Sequence, residues 1–383
     1  GELCGSMFWL LLNQRFHFLD PDNEAYVAEM ERSLYNVGFA NQVPDGPRIR
    51  YFARLHGYKQ PGYAIGTCCE GQGTRMYGML PEFIYSSAPP TAAGTVLGVY
   101  VDLFAASTFG FNTSGDAQVV LTQRTRFPYD GKVTLTMSVS RAPTAAFALY
   151  VRSPGWLDAP CLDVALNNVR AQCIVRGSYG RFARQWAHGD ALTFELSPRL
   201  TAHEYRGLSQ IRGQARFAYM YGPILLAATG QEGAWEYFPP SSPFSNQHCI
   251  KIRGVDATAP QLWLDRVRNA GNGSAGETLR FRVEGRPDVV FLSYFEVNRE
   301  RFTVYPIVAR APGPDPWQGQ PPRGRRWTDD PPQPRAQWSA GLASPSKEID
   351  PRLVPRVPDD SLLQHTPDWH VAQRADYSFA VAV

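Results

Sequence analysis

At 383 residues the chain is long enough for two or three domains with substantial cores. Its formal charge is only +3, and its one short basic run, Arg323-Gly324-Arg325-Arg326, sits among prolines, so nothing marks a nucleic-acid surface. No apolar run approaches the ~20 residues that cross a bilayer, and an aromatic content of 13% suits both β-rich cores and stacking against sugar rings.

The chain opens on Gly1-Glu2-Leu3-Cys4, a carboxylate and a thiol two residues apart. From Leu3 to about Leu19, apolar residues (Met7, Phe8, Trp9, Leu10, Leu11, Leu12, Phe16, Phe18) fall nearly all round a helical wheel. That pattern predicts a helix buried on every face. Asp20-Pro21-Asp22-Asn23 then stops one helix and caps the next. The second helix, roughly Glu24 to Val37, is amphipathic: Tyr26, Val27, Met30 and Leu34 share one side, and Glu24, Glu29, Glu31 and Arg32 carry charge elsewhere. A buried helix followed by an exposed one is the repeating unit of an α/α barrel. Residues 41–66 read as a long loop with a short strand at Ile49 to Ala53, and loops of this length inside compact domains tend to be functional.

Cys68 and Cys69 come next, between Gly66 and Gly71. Adjacent cysteines cannot easily bridge each other. That leaves core filling, separate bridges to distant cysteines, or a shared metal ion. With Glu2 and Cys4 they make one oxygen and three sulfur donors, a set suited to tetrahedral zinc. The plainer alternatives are a helix-terminal carboxylate at Glu2 and buried thiols at the cysteines. Gly71 to Tyr85 reads as a last helix, bent or ended near Pro81, with Glu70 in its first turn and Glu82 on its exposed side.

After Thr95 the period becomes two. Val133, Leu135, Met137 and Val139 alternate with Thr134, Thr136 and Ser138, and Leu192, Phe194 and Leu196 behave likewise. Turn signals at Asp130-Gly131 and His188-Gly189-Asp190 separate such runs, so Leu97 to Ala228 describes a β-sandwich or jelly roll. Within it, Cys161 and Cys173 are core residues or a pair across a hairpin. A connection at 231–247 leads to a second β-rich unit, with strands at Leu279 to Val283, Val289 to Phe295 and Phe302 to Val308. Proline dominates from Pro312 to Pro367, and Tyr377 to Val381 reads as a closing strand. The fold class expected is multidomain α+β: a helical part over 1–95, a β-sandwich over 96–230 and a second β-rich domain over 231–383.

Glu2-Leu3-Cys4, the helix pair after it, Arg50-Tyr51-Phe52 and Gly66-Thr67-Cys68-Cys69-Glu70-Gly71-Gln72-Gly73 resemble glycoside hydrolase family 127, the β-L-arabinofuranosidase family. Phe127-Pro128-Tyr129-Asp130-Gly131-Lys132-Val133, Arg152-Ser153-Pro154-Gly155-Trp156 and Tyr221-Gly222-Pro223-Ile224-Leu225 resemble its later landmarks, in the right order to about residue 309. The resemblance implies that 1–95 are the last helices of an (α/α)6 barrel, followed by two sandwich-like domains. It also implies a zinc ion held by Glu2, Cys4, Cys68 and Cys69, with Cys68 as the nucleophile of a retaining hydrolase. The substrate would be a terminal β-L-arabinofuranoside of plant origin.

Tyr51 and His56, in the loop before the cysteines, are candidates for bonding sugar hydroxyls, with plain loop packing the alternative. The family's acid/base glutamate lies upstream of its Glu-x-Cys motif, so no residue here takes that role. The chain does not begin with Met and opens inside that motif. The expectation is therefore a piece of a longer protein, incomplete for catalysis by itself and with its compartment undetermined. A rival reading makes the chain a non-catalytic carbohydrate-binding or bracing module with a structural zinc.

Overall fold

The computed structural model describes residues 2–309 apart from 45, 47, 60–66, 89–96, 114–116, 208–209, 212, 239–247 and 268–277, together with a strand at 379–381. The chain divides into two compact units, Gly1–Pro316 with Asp376–Val383, and Trp317–Ala375. The second unit and the proline-rich region lie outside the described residues.

Four helices form the first part of the larger unit: α1 (Leu3–Leu19), α2 (Glu24–Ser33), α3 (Cys68–Gly78) and α4 (Leu80–Ile84). Asn23 caps α2, its side chain accepting from the Ala25 amide. Pro81 stands in the first turn of α4, which is why the predicted single last helix is two. Helix α2 does not run regularly to Val37; from Leu34 to Phe39 it widens into a π-helical turn. Asn36 ties that turn to the β region, donating to the Pro223 carbonyl at 2.8 Å and accepting from the Leu225 amide at 2.7 Å.

Helix α1 departs from the expected all-round burial. Leu3, Met7 and Leu10 are buried against α2 and α3, but Phe8, Trp9, Leu12, Phe16 and Leu19 are 40–80% exposed. These five share the opposite face, which the described residues cover only at its margin, where Trp9 donates to Glu29 at 3.2 Å and Phe16 meets Tyr26 at 5.5 Å between ring centroids; apolar composition reports what a face favours, not what lies against it. The α2 expectation needs a second correction. Glu24 and Glu31, read as solvent-facing charge, are buried. They bind the fully buried Arg152 guanidinium at 2.8 and 2.9 Å, and Glu31 also accepts from the Trp156 indole at 2.7 Å.

Two sheets with one common core follow. The smaller has strand order Ser178–Ala187, Thr144–Ser153, Leu97–Val101, Tyr85–Ala88. In the larger, Lys132–Ser140 lies between Gln118–Thr125 and Ala191–Glu195. Val133, Leu135, Met137 and Val139 all point into the core, and the intervening threonines are half-buried on the other face, as the alternation requires. Cys161 and Cys173 form a disulfide across the hairpin of Cys161–Leu166 and Val169–Val175. Phe379–Val381 pairs with Ser107–Phe109 at the far edge.

The last sheet gathers Leu200–Glu204, Phe217–Tyr221 and Ile224–Gly230 with Arg286–Ser293, Arg280–Val283 and Leu264–Val267. Hydrogen bonding thus puts residues 200–230 with the second β unit rather than the first. The helical part joins the same sheet. Its strand His56–Gly57 pairs with Phe302–Thr303, whereas the expected strand at Ile49 to Ala53 consists of two isolated bridges, Ile49 with Gln42 and Phe52 with Glu2. Buried Lys59 completes the seam, donating to the Ala40 and Tyr294 carbonyls at 3.0 and 2.7 Å.

Candidate functional site

Two helix amino termini meet at the candidate site. Glu2 precedes α1 in extended conformation and is held by its bridge to Phe52 and by the Leu3 amide, which donates to the Tyr51 carbonyl at 3.2 Å. One turn of α1 then carries Cys4. Cys68 and Cys69 are the first two residues of α3, whose start is fixed by a capping box: the Glu70 carboxylate accepts from the Thr67 amide at 2.7 Å. Glu70 is therefore a capping residue, and Glu82 is exposed on α4.

Gly73 lets the two helices approach. A Cβ there would lie 2.7 Å from Ile49 Cδ1 and 3.0 Å from Leu3 Cδ2, closer than packed atoms tolerate. Leu3, Cys4, Ile49 and Cys69 form a small apolar cluster beneath the site, with Tyr51 and Tyr77 against it.

Glu2, Cys4, Cys68 and Cys69 converge so that one ligand atom from each lies within 4.8 Å of all the others. Cys4 Sγ is 3.2 Å from Cys69 Sγ, and Glu2 Oε1 is 3.9 Å from Cys69 Sγ. Tetrahedral zinc with sulfur at ~2.3 Å sets neighbouring donors about 3.5–4 Å apart, so the group can hold a metal ion of that kind. Cys4 and Cys69 are buried while Glu2 and Cys68 are exposed, which leaves one side of the group open to solvent. Tyr51 reaches both exposed members: its hydroxyl donates to Glu2 Oε1 at 3.2 Å and lies 3.8 Å from Cys68 Sγ.

Crowding three thiols separates their protonation. Burial, then contact with Cys69 and Cys68, pushes the Cys4 thiol up to about 12. Burial likewise raises Cys69. Cys68 is lowered, first by hydrogen bonding from Cys4 and then by Tyr51. The α3 dipole also favours negative charge at both α3 cysteines. The exposed sulfur is the one best placed to ionise.

His56 is not brought to this group; it sits on the strand paired with Phe302–Thr303, and no hydrogen bond links it to the cysteines. Sequence reasoning passed over Thr67 and Gly73. Thr67 was legible as the first residue of a Thr-x-x-Glu capping box, whereas nothing local announces the contact at Gly73.

Residues 1–82 match the family model of the β-L-arabinofuranosidase GH127 catalytic domain, and residues 98–198 match that of the GH127 middle domain. The chain is similar to a non-reducing end β-L-arabinofuranosidase of Bifidobacterium longum subsp. longum, 25% identical over 244 residues that make up 60% of this chain and 35% of the relative. Among solved structures it resembles a GH127 β-L-arabinofuranosidase from Geobacillus stearothermophilus T6, with a TM-score of 0.54 at 18% identity, covering 80% of this chain and 50% of that one. It also resembles a GH127 β-arabinofuranosidase, with a TM-score of 0.58 at 18% identity, covering 80% and 49%. The chain thus spans about a third of the curated relative and about half of the solved ones.

Proposed function

The chain belongs to glycoside hydrolase family 127, and from that premise we propose that its cysteine group is the zinc-thiolate part of a retaining β-L-arabinofuranosidase site. The observation that carries the reading is the convergence of Glu2, Cys4, Cys68 and Cys69 with one sulfur, Cys68, left exposed. The substrate is a carbohydrate, a terminal β-L-arabinofuranoside of a plant-derived glycan. Residues 1–95 then end an (α/α)6 barrel, and the β-rich domains divide near residue 199, where the sheet pairing changes.

Glu2, Cys4, Cys68 and Cys69 would hold the zinc ion, which would keep the thiols ionised at neutral pH. The Cys68 sulfur attacks the anomeric carbon, forming a C–S bond as the bond to the leaving oxygen breaks. Water then cleaves that thioglycoside and the configuration is retained overall. Tyr51 orients Glu2 and Cys68 and offers its hydroxyl to the sugar. The leaving oxygen needs a proton from a general acid. Glu2 is engaged in the cluster and no other described carboxylate joins it, so none of the described residues receives that role.

The test compares Cys68→Ser with Cys69→Ala in the protein extended to its relatives' full length, measuring turnover of an aryl β-L-arabinofuranoside, bound zinc and thermal midpoint together. Serine at 68 should abolish turnover in a folded protein, and an electrophilic arabinofuranose mimic should label Cys68 in the unsubstituted enzyme. Cys69→Ala should lose zinc and stability along with rate. Near-normal turnover by the serine variant would overturn the assignment.

A further inference from the structure

A cleft of ≈540 Å³ opens between the π-helical turn, the 127–129 corner and the 295–298 turn. Its walls are aromatic: Tyr35, Phe39, Tyr129 and Phe295 are each only partly buried there. The π-helical turn carries the first two, which stand four residues apart and both line the cleft. Tyr35 packs edge-on to Phe39 at 5.5 Å between centroids and tilted against Phe295 at 5.7 Å. Such rings are commonly buried outright; here they surround open space.

The polar groups among them narrow what fits. Glu296 is the one carboxylate among the described lining residues, and it is already engaged: it accepts from the Tyr129 hydroxyl at 3.0 Å, from the Leu279 amide at 3.0 Å and from the Ser293 hydroxyl. No lysine or arginine is among the described lining residues. An ionic ligand therefore finds no partner among them. What remains are neutral groups. Asn298 is held in place by Arg50, which donates to its Oδ1 at 3.2 Å. The Gln42 amide makes one long bond, to the Gly46 carbonyl at 3.5 Å, and the Tyr35 hydroxyl makes none among the described residues. Asn298 also donates to the Glu296 carbonyl at 3.2 Å, so it offers a second, shared bond. Partly exposed rings beside amide and hydroxyl groups match a sugar, whose C–H face stacks while its hydroxyls bond.

We propose that this cleft is a second carbohydrate site, a non-catalytic one for a neutral oligosaccharide, stacked on Tyr35, Phe39 and Phe295 and bonded by Gln42 and Asn298. Its described lining residues include no thiol and no free carboxylate, so it binds without cleaving. It shares the 42–51 segment with the cysteine group: Arg50 serves the cleft through Asn298 and the Gln42 carbonyl, and the next residue, Tyr51, serves Cys68. The proposal rests on the reading of the cysteine site only for its choice of probe.

The probe is a short linear arabino-oligosaccharide, titrated calorimetrically into the chain and its variants. Gln42→Ala, at a half-exposed position, and Tyr35→Phe should each weaken binding roughly tenfold, as expected for a lost hydrogen bond to a bound ligand. Zinc content should not change in either. Cys69→Ala, which dismantles the cysteine group, should leave this affinity within about twofold. If Tyr35→Phe fails to fold, Gln42→Ala decides alone. Binding that is lost in Cys69→Ala and indifferent to Gln42→Ala would overturn the proposal by placing all sugar at the cysteines. Absence of binding to the unsubstituted chain would overturn it as well. Neither result bears on whether Cys68 is a nucleophile, which is read from turnover and labelling.

Discussion

The sulfurs of Cys4 and Cys69 lie 3.2 Å apart although 65 residues separate them in the chain. Only the packing of α1 against α3 brings them together, so whatever binds this sulfur pair also fastens the two helices.

Metal binding should therefore appear as stability. At a free zinc concentration a thousandfold above Kd, an intact site adds about 4 kcal/mol to folding. Stripping the metal with a chelator should lower the thermal midpoint by several degrees, and readdition should release protons as thiols ionise. A midpoint unchanged by chelation would show that the group holds no metal in solution.

Gly73→Ala tests the helix approach directly. The added methyl meets Ile49 and Leu3, and overpacking of this kind costs about 1–3 kcal/mol. Zinc affinity should fall with it because α3 is displaced from Cys4. Gly71→Ala, where a Cβ meets nothing within 4 Å, is the control and should leave affinity unaltered. Equal behaviour of the two variants would count against the close-packing account.

Arg152 is a test at a distance from the site. Its guanidinium is buried between Glu24 and Glu31 and also donates to the Asp102 carbonyl at 3.0 Å. Arg152→Met would strand two buried carboxylates, a loss of about 3–5 kcal/mol. Adding Glu31→Gln to that variant should recover part of the loss, measured by denaturant unfolding. A strictly additive pair would mean that the two residues do not interact.

His17 gives the pH prediction. Burial disfavours its charged form, but Asp102, with a carboxylate oxygen 3.2 Å from Nε2, outweighs that and raises it above the ordinary 6.5. Asp20 adds to the rise and Arg152 opposes it. A raised folded value means the contribution is complete below the unfolded pKa and is lost as pH rises through the folded one. Stability should fall as pH rises through and above the ordinary histidine range by more in the native protein than in His17→Gln. Identical slopes would remove His17 from the pH dependence.

What the sequence made legible was periodic or chemically distinctive. Strict alternation at Val133 to Val139 put the right side chains in the core, because a strand has only two faces. The cysteine set was legible by its donor chemistry and by the ordered resemblance around it. Glu24 and Glu31, seven residues apart on one helical face, were taken for a solvated side, since their partner Arg152 lies more than a hundred residues on. Phe8, Trp9 and Leu12 were taken for core because hydropathy carries no record of whether a neighbour is there. His56, a candidate for bonding sugar hydroxyls in the segment before the cysteines, stands on a strand opposite Thr303, a pairing that sequence closeness does not reveal.

One chain therefore holds cysteines in two oxidation states. Cys161 and Cys173 are joined, while Cys4 and Cys69 are free thiols in non-bonded contact at 3.2 Å. An oxidant able to close the hairpin bridge faces a second pair ready to be closed, and doing so would consume two of the four donors. Thiolates coordinated to an ion are withdrawn from thiol–disulfide exchange, so the order of events during oxidative folding matters. A cation captured before the oxidant arrives acts as a protecting group, and material oxidised first should accumulate as a compact, metal-free form that reductant converts back.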